Sequence, residues 1–246
     1  NISGRKDISH DDNSIIYGLH AVIAALQNPV RKCQKLTVTK NALNEILQQV
    51  EISPNLEVQE VSPDQINKKL KPGTVHQGAL LITAPLPEVS LETVTATGKP
   101  IIVLDQVTDP RNIGAIIRAA TVFGAGGLVM TRHNSPASGG ALAKTASGAL
   151  EKMPLVRVVN IARCLESLSE AGYLTCGLDE EGAQWLGDIP RDRPIACVMG
   201  AESKGLRRLT KENCAQLVRL TASDASSFAT LNVATATAVA LYEIIR

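Results

Sequence analysis

The sequence predicts an α/β fold: a large C-terminal domain with a mostly parallel sheet, preceded by a small α/β domain. Three observations carry this. Short apolar runs at 101–104, 128–130, 155–159, 173–177 and 195–199 alternate with helix-periodic segments, as in parallel strands joined by crossover helices. Apolar residues make up 44% of the chain but aromatic ones only 2%, so the core is built from Ala, Val, Leu and Ile, as suits a sheet covered by helices. The third observation is a change of period within one short stretch, 101–130.

That stretch opens with a buried strand, which Asp109-Pro110 stops, because proline cannot donate to a sheet ladder and pushes its predecessor out of helical geometry. From Asn112, read as the N-cap, Ile113, Ile116, Ile117 and Ala120 fall at helix spacing. Gly124, Gly126 and Gly127 end the helix before the next strand. The unit leaves a polar loop at the carboxyl end of its first strand, where open α/β sheets bind ligands. Asn112 and Arg118 are the unusual polar groups on an otherwise apolar helix.

Ahead of this unit, the spacing predicts a helix at 17–26, a strand at 35–39 and a helix at 41–50 capped by Asn41. A strand at 56–61, a short helix opened by Ser62-Pro63-Asp64 and a strand at 77–84 follow, and 14–84 is long enough for a small domain. Residues 85–99 are rich in Pro and Thr, lack a helix period and read as a linker. Residues 100–246 then form one domain, with a Gly/Ala segment at 138–150 and a helix at 161–171 among its elements.

Composition excludes several classes. No apolar run approaches the roughly 18 residues of a membrane span. Residues 1–13 are polar, lack the apolar core of a signal peptide and read as a disordered tail. Five cysteines without a CxxC or a histidine at ligand spacing indicate free thiols in a reduced cytoplasm and no metal site. A formal charge of +1 argues against coating nucleic acid by bulk charge, so any RNA contact comes from local patches. No GxGxxG follows a strand and no GxxxxGK[ST] is present, which disfavours a dinucleotide-dependent oxidoreductase and a P-loop enzyme.

Two further stretches carry polar groups in places that matter. The strand at 195–199 runs into Gly200-Ala201-Glu202, a glycine that lets a ligand approach the backbone and a carboxylate on the same rim as Asn112. A capped strand-to-helix turn would look the same. Arg207, Arg208 and Lys211 follow, either a solvated helix face or phosphate contacts. Near the end, Thr230-Leu231-Asn232 leads into an alanine-rich helix, where Thr or Asn could equally be a plain helix cap.

Together DPRNIGAIIR, VMGAESKGL and TLNVATATAVALYE resemble the SpoU-type (TrmH-class) RNA ribose 2′-O-methyltransferases over residues 100–246. The front part, with IIYGLHAV and GTVHQGALL, is similar to the ribosomal-protein-like RNA-binding domain of the branch that methylates guanosine in 23S rRNA. The resemblance implies a knotted (trefoil) methyltransferase domain, a homodimer formed through it, S-adenosylmethionine as cofactor and an RNA substrate, without membrane or metal. Carried over by position, Gly200, Leu220 and Leu231 line the cofactor, and Asn112, Arg118, Glu202, Thr230 and Asn232 form the catalytic set. Thr230 stands where the pattern usually has serine, and the segment 220–229 lacks the usual Gly or Pro and is about two residues long for the family.

Guanidinium, with a pKa above about 12, is a poor base. Arg118 is therefore expected to clamp the target phosphate and stabilise developing alkoxide, with Asn112 and Asn232 orienting it or the ribose and Glu202 holding the arrangement. In the front domain Arg31, Lys32, Lys35 and Lys40 form one basic cluster, Lys68, Lys69 and Lys71 another, either able to grip phosphates. His76 reads as a loop histidine bonded to backbone. Two alternatives stay open at this point: a non-catalytic RNA-binding homologue, and a methyltransferase for tRNA or for an rRNA adenosine.

Overall fold

The computed structural model describes residues 15–132, 140–202, 204–220 and 231–246. The expected tail at 1–13 and Thr230 lie outside these residues. The described chain divides into two compact units. One holds the residues up to Leu86 together with 140–144, and the other those from Pro87 to 132 and from Thr145 onward.

The first unit contains β1 (Ile15–Tyr17), α1 (Leu19–Gln27), β2 (Cys33–Val38), α2 (Lys40–Leu47), β3 (Glu57–Glu60), α3 (Pro63–Asn67) and β4 (Ala79–Thr83). Its sheet has the order β1-β4-β2-β3, with β4 antiparallel to β1 and β2, and β2 parallel to β3. Leu36, Ile46, Ile66 and Leu81 are fully buried at its centre. Helix α2 starts earlier than expected, because the Thr39 hydroxyl, not Asn41, accepts from Ala42 N at 3.4 Å.

From Pro87 the elements are α4 (Leu91–Thr95), β5 (Ile101–Asp105), α5 (Pro110–Val122), β6 (Gly127–Thr131), α6 (Gly140–Ala146), β7 (Leu155–Val158) and α7 (Ile161–Glu170). They continue with β8 (Leu174–Leu178), β9 (Gln184–Trp185), β10 (Ile195–Gly200), α8 (Arg208–Asn213), β11 (Gln216–Arg219) and α9 (Val233–Ile245). The stretch 85–99 is therefore not helix-free. Ser90 accepts from Thr93 N at 3.2 Å to start α4, and Val94 is buried in the core with Ile101, Val129 and Val156. A serine cap and one buried valine suffice for so short a helix, but they leave no readable period.

Seven strands form a sheet in the order β7-β6-β5-β10-β8-β11-β9, and every neighbouring pair is parallel. All five residues of β5 are buried, as expected for a strand covered on both faces. The chain leaves β5 to build one side of the sheet through β6 and β7, then returns to place β10 on the other side. The β5–β10 boundary is thus the topological switch point, the position where such sheets bind ligands. Helices α5 and α9 pack on each other, with Ile113, Ile116 and Ile117 buried on one and Ala236, Ala240 and Leu241 on the other. Residues 221–230, which lead into the C-terminal segment expected to thread, lie outside the described residues.

Candidate active site

Asp109 starts α5 by accepting from Arg111 N at 2.8 Å, with Pro110 in the first helical position. Asn112, expected as the cap, therefore sits inside the first turn with its side chain free for other partners. Asn232 is the cap of α9: its Oδ1 accepts from Ala234 N at 2.9 Å. That fixes the orientation of its amide, whose Nδ2 then donates to Asn112 Oδ1 at 3.1 Å and to Glu202 Oε1. One side chain thus satisfies its own helix and ties the first turn of α5 to the β10–α8 turn. Glu202 and Asn232 are exposed and Asn112 half-buried, so the cluster is open to solvent. It presents the amide donors of Asn112 beside the carboxylate acceptor of Glu202.

The remaining expected residues are placed unequally. Arg118 lies six residues beyond Asn112, about 240° around the helix. It is exposed, with no hydrogen bond or ion pair to another described residue, so it does not join the Asn112–Asn232–Glu202 cluster. Gly200 ends β10, where a Cβ would come within 2.3 Å of the Gly205 carbonyl carbon and 2.5 Å of Leu206 N. The turn folds back on the strand so closely, with Gly205 N donating to Ala201 O at 2.8 Å, that only glycine fits. Leu231 is 52% exposed immediately before Asn232, and Leu220 is half-buried at the end of β11. An exposed leucine beside a polar cluster is a surface that an apolar part of a ligand can cover.

Asp105 is a residue that the sequence reading passed over. Its carboxylate is fully buried at the end of β5, paired in register with Gly200. It accepts from Arg207 N at 3.0 Å and from Arg207 Nε at 2.7 Å. This bond pins the far end of the turn that carries Glu202. The signal was an acidic residue closing an otherwise apolar strand. The basic run after the turn is partnered throughout: Arg208 pairs with Glu212 at 2.7 Å and Lys211 with Asp179 at 2.5 Å.

Four of the five cysteines are poor nucleophiles. Burial pushes the Cys164 and Cys214 thiols up to about 12 and Cys176 up to about 11, and raises Cys197 as well. Among the described residues no group of His, Cys, Asp and Glu is arranged to hold a metal ion, and no helix is long and apolar enough to cross a membrane.

In the first unit Arg31 is only 5% exposed and donates to Ala84 O at 3.1 Å, so it leaves the first basic cluster as a structural residue. Lys35 pairs with Glu57 at 2.6 Å. His76 bonds to backbone, as its loop position suggested: Nδ1 accepts from Gly78 N at 3.0 Å and Nε2 faces Asn67 Oδ1 at 3.0 Å. Those partners fix the neutral tautomer with its proton on Nε2. Burial, and then the charge of Lys144, hold its pKa below the ordinary value of 6.5.

Residues 99–242 match the family model described as the SpoU rRNA methylase family, and residues 15–89 match RNA 2′-O ribose methyltransferase substrate binding. The 23S rRNA (guanosine-2′-O-)-methyltransferase RlmB of Haemophilus ducreyi is 36% identical over 244 residues, covering 94% of this chain and 96% of that protein. RlmB of Vibrio parahaemolyticus is 33% identical over 243 residues, covering 95% and 97%. Among solved structures, the SpoU methyltransferase AviRb from Streptomyces viridochromogenes, in complex with AdoMet, superposes with a TM-score of 0.79 at 23% identity. That likeness of fold covers 98% of this chain and 93% of AviRb. The chain belongs to the SpoU rRNA methylase family. Its activity class is accordingly that of an RNA 2′-O-methyltransferase that uses S-adenosylmethionine.

Proposed function

We propose that the protein methylates the ribose 2′-hydroxyl of a guanosine in 23S rRNA, with the reaction at the rim between β5 and β10. The observation that carries this is the Asn112–Asn232–Glu202 cluster at the switch point of a fully parallel sheet. It sets amide donors beside a carboxylate acceptor, and a ribose 2′-hydroxyl is both donor and acceptor. The relatives named as guanosine methyltransferases support the choice of nucleotide and RNA.

S-adenosylmethionine supplies a methyl already activated on a positively charged sulfur, so the protein's tasks are alignment and handling of the hydroxyl proton. Gly200, Leu220 and Leu231 would hold it; the exposed Leu231 and the side-chain-free end of β10 fit an apolar cofactor body. Asn112 and Glu202 orient the ribose, and Asn232 fixes both of them. Arg118, free of partners among the described residues, is available to clamp the phosphate of the target nucleotide and stabilise charge on the attacking oxygen. Thr230 retains a hydroxyl for the same site.

A homodimer through the methyltransferase domain is part of this reading. It is supported by Val239, Tyr242 and Ile245, 39–50% exposed along one stripe of α9. Residues 14–84 serve as the RNA-binding domain, and the reaction belongs in the cytoplasm, in keeping with five free cysteines. Mapping ribose methylation in 23S rRNA from a strain with and without the protein tests the proposal. One guanosine should lose its methyl group in the strain without it; 23S rRNA with every guanosine methyl retained, the missing methyl being found in tRNA or at an rRNA adenosine, would overturn the assignment.

A further inference from the structure

A second feature of the same rim is a cleft of about 530 Å³, whose lining includes Gln106, Thr131, Val159, Ile161, Arg208 and Leu209. Its volume falls within the roughly 300–1,000 Å³ of small-molecule sites. The β5–α5 loop supplies Gln106 here and the first residue of α8 supplies Arg208, so the cleft lies on the same carboxyl edge of the sheet as the Asn112–Glu202 cluster. Among the described residues no acidic side chain lines it.

Gln106 holds a left-handed backbone at φ 63, a conformation unfavourable for a non-glycine residue. Strain of this kind concentrates at functional sites. Its side-chain amide has no hydrogen-bond partner among the described residues. Val159 and Leu209 are 73% and 58% exposed, large apolar side chains left uncovered in the cleft wall. Arg208 is 79% exposed, and its bond to Glu212 is a surface i,i+4 pair. Such exposed pairs contribute little to stability, so a phosphate can replace the carboxylate at little cost. Arg207, by contrast, is committed to Asp105.

From this combination we infer that the cleft holds one unstacked nucleotide of single-stranded RNA, adjacent to the nucleotide that is methylated. Its base lies against Val159 and Leu209, its edge is read by the Gln106 amide, and its phosphate takes Arg208 from Glu212. An amide can pair with a base edge in two directions at once, and such edges are accessible in loops and bulges, not inside an A-form helix. The inference rests on the proposed RNA methylation and adds a subsite that selects sequence next to the target.

The test uses the full chain, S-adenosylmethionine and a 23S rRNA transcript. Gln106→Gly removes the amide while keeping, without strain, the backbone angle that glycine adopts freely. Arg208→Gln removes the charge. Each should raise KM for the RNA about tenfold, with kcat within about twofold and unchanged affinity for S-adenosylmethionine. Arg208→Gln should also lower the slope of log affinity against log salt by about one. Gln106→Gly should further lose discrimination when bases flanking the target are exchanged. Unaltered KM and discrimination in both variants, with active unaltered protein, would overturn the subsite alone. No methyl transfer by the unaltered protein would overturn the underlying function as well.

Discussion

Asn232 donates its side-chain amide to Asn112 Oδ1 at 3.1 Å, joining residues 120 positions apart in sequence at the first turns of two packed helices. The same amide group reaches Glu202, and its oxygen caps α9. Asn232 is therefore the residue on which the arrangement of the other two depends.

Asn232→Ala should remove both the cap and the link. Loss of an N-cap costs about 1 kcal/mol, seen as a lower Tm, and methyl transfer should fall much further than stability. Asn232→Asp separates the two effects. It can still cap α9 but places a second carboxylate against Glu202, so transfer should remain low while the helix start is retained. Equal activity in the Asp variant and the unaltered protein would show that the donor bonds are dispensable.

Gly200→Ala should be destabilising by roughly 1–3 kcal/mol, the cost of forcing an added methyl into packed surroundings. The new carbon meets backbone, at 2.3 Å from the Gly205 carbonyl carbon, and not the end of a flexible side chain. Relief requires the turn to move, and Glu202 moves with it. Thermal unfolding together with methyl transfer checks this; a variant with unchanged Tm contradicts the close approach.

Asp105→Ala should leave the Arg207 backbone N–H and guanidinium without their acceptor. About half of the Arg207 side chain reaches water, 51% being exposed, so the expected loss is on the order of 1–3 kcal/mol. Asp105→Asn, which keeps one acceptor for Arg207, should lose less. Denaturant unfolding of the two variants gives the comparison, and the ranking reverses if the buried carboxylate is a net cost.

His76 gives the first unit a pH dependence. Its pKa in the fold lies below the ordinary 6.5, so the unfolded chain binds the proton more readily. Stability is full above about 6.5 and is lost as pH falls toward the folded value, where protonation of Nδ1 breaks the bond from Gly78 N. Thermal unfolding of the unit should show this decline, and His76→Gln should flatten it. A decline of the same size in the variant would assign the effect to other groups.

Much of the architecture was readable because it obeys simple periods. Apolar runs such as 101–104 and 195–199 mark strands buried on both faces, and Ile113, Ile116 and Ile117 mark one face of α5. The short strands β1, β9 and β11 escaped, since two to four residues carry no period. Helix caps were misplaced by two or three residues at Asn41 and Asn112, because Thr39 and Asp109, the actual caps, stood just upstream of equally plausible ones. The meeting of Asn112, Glu202 and Asn232 is not contained in any local pattern; it came from a family resemblance, and the coordinates show the bonds. Asp105, marked only as an acidic end to an apolar strand, and the left-handed Gln106 were hard to read for another reason. Their roles depend on what faces them across the β5–β10 boundary, a long-range property.

The most direct test is transfer of a labelled methyl group from S-adenosylmethionine to 23S rRNA by Arg118→Ala, with cofactor affinity measured by calorimetry on the same preparation. Arg118 is exposed and unpaired among the described residues, so its removal should leave stability within about 0.5 kcal/mol. Transfer should fall about a hundredfold or more, the usual scale for losing a group that stabilises developing charge, with cofactor affinity nearly unchanged. Full transfer by the variant, or loss of cofactor binding in place of transfer, would contradict the account.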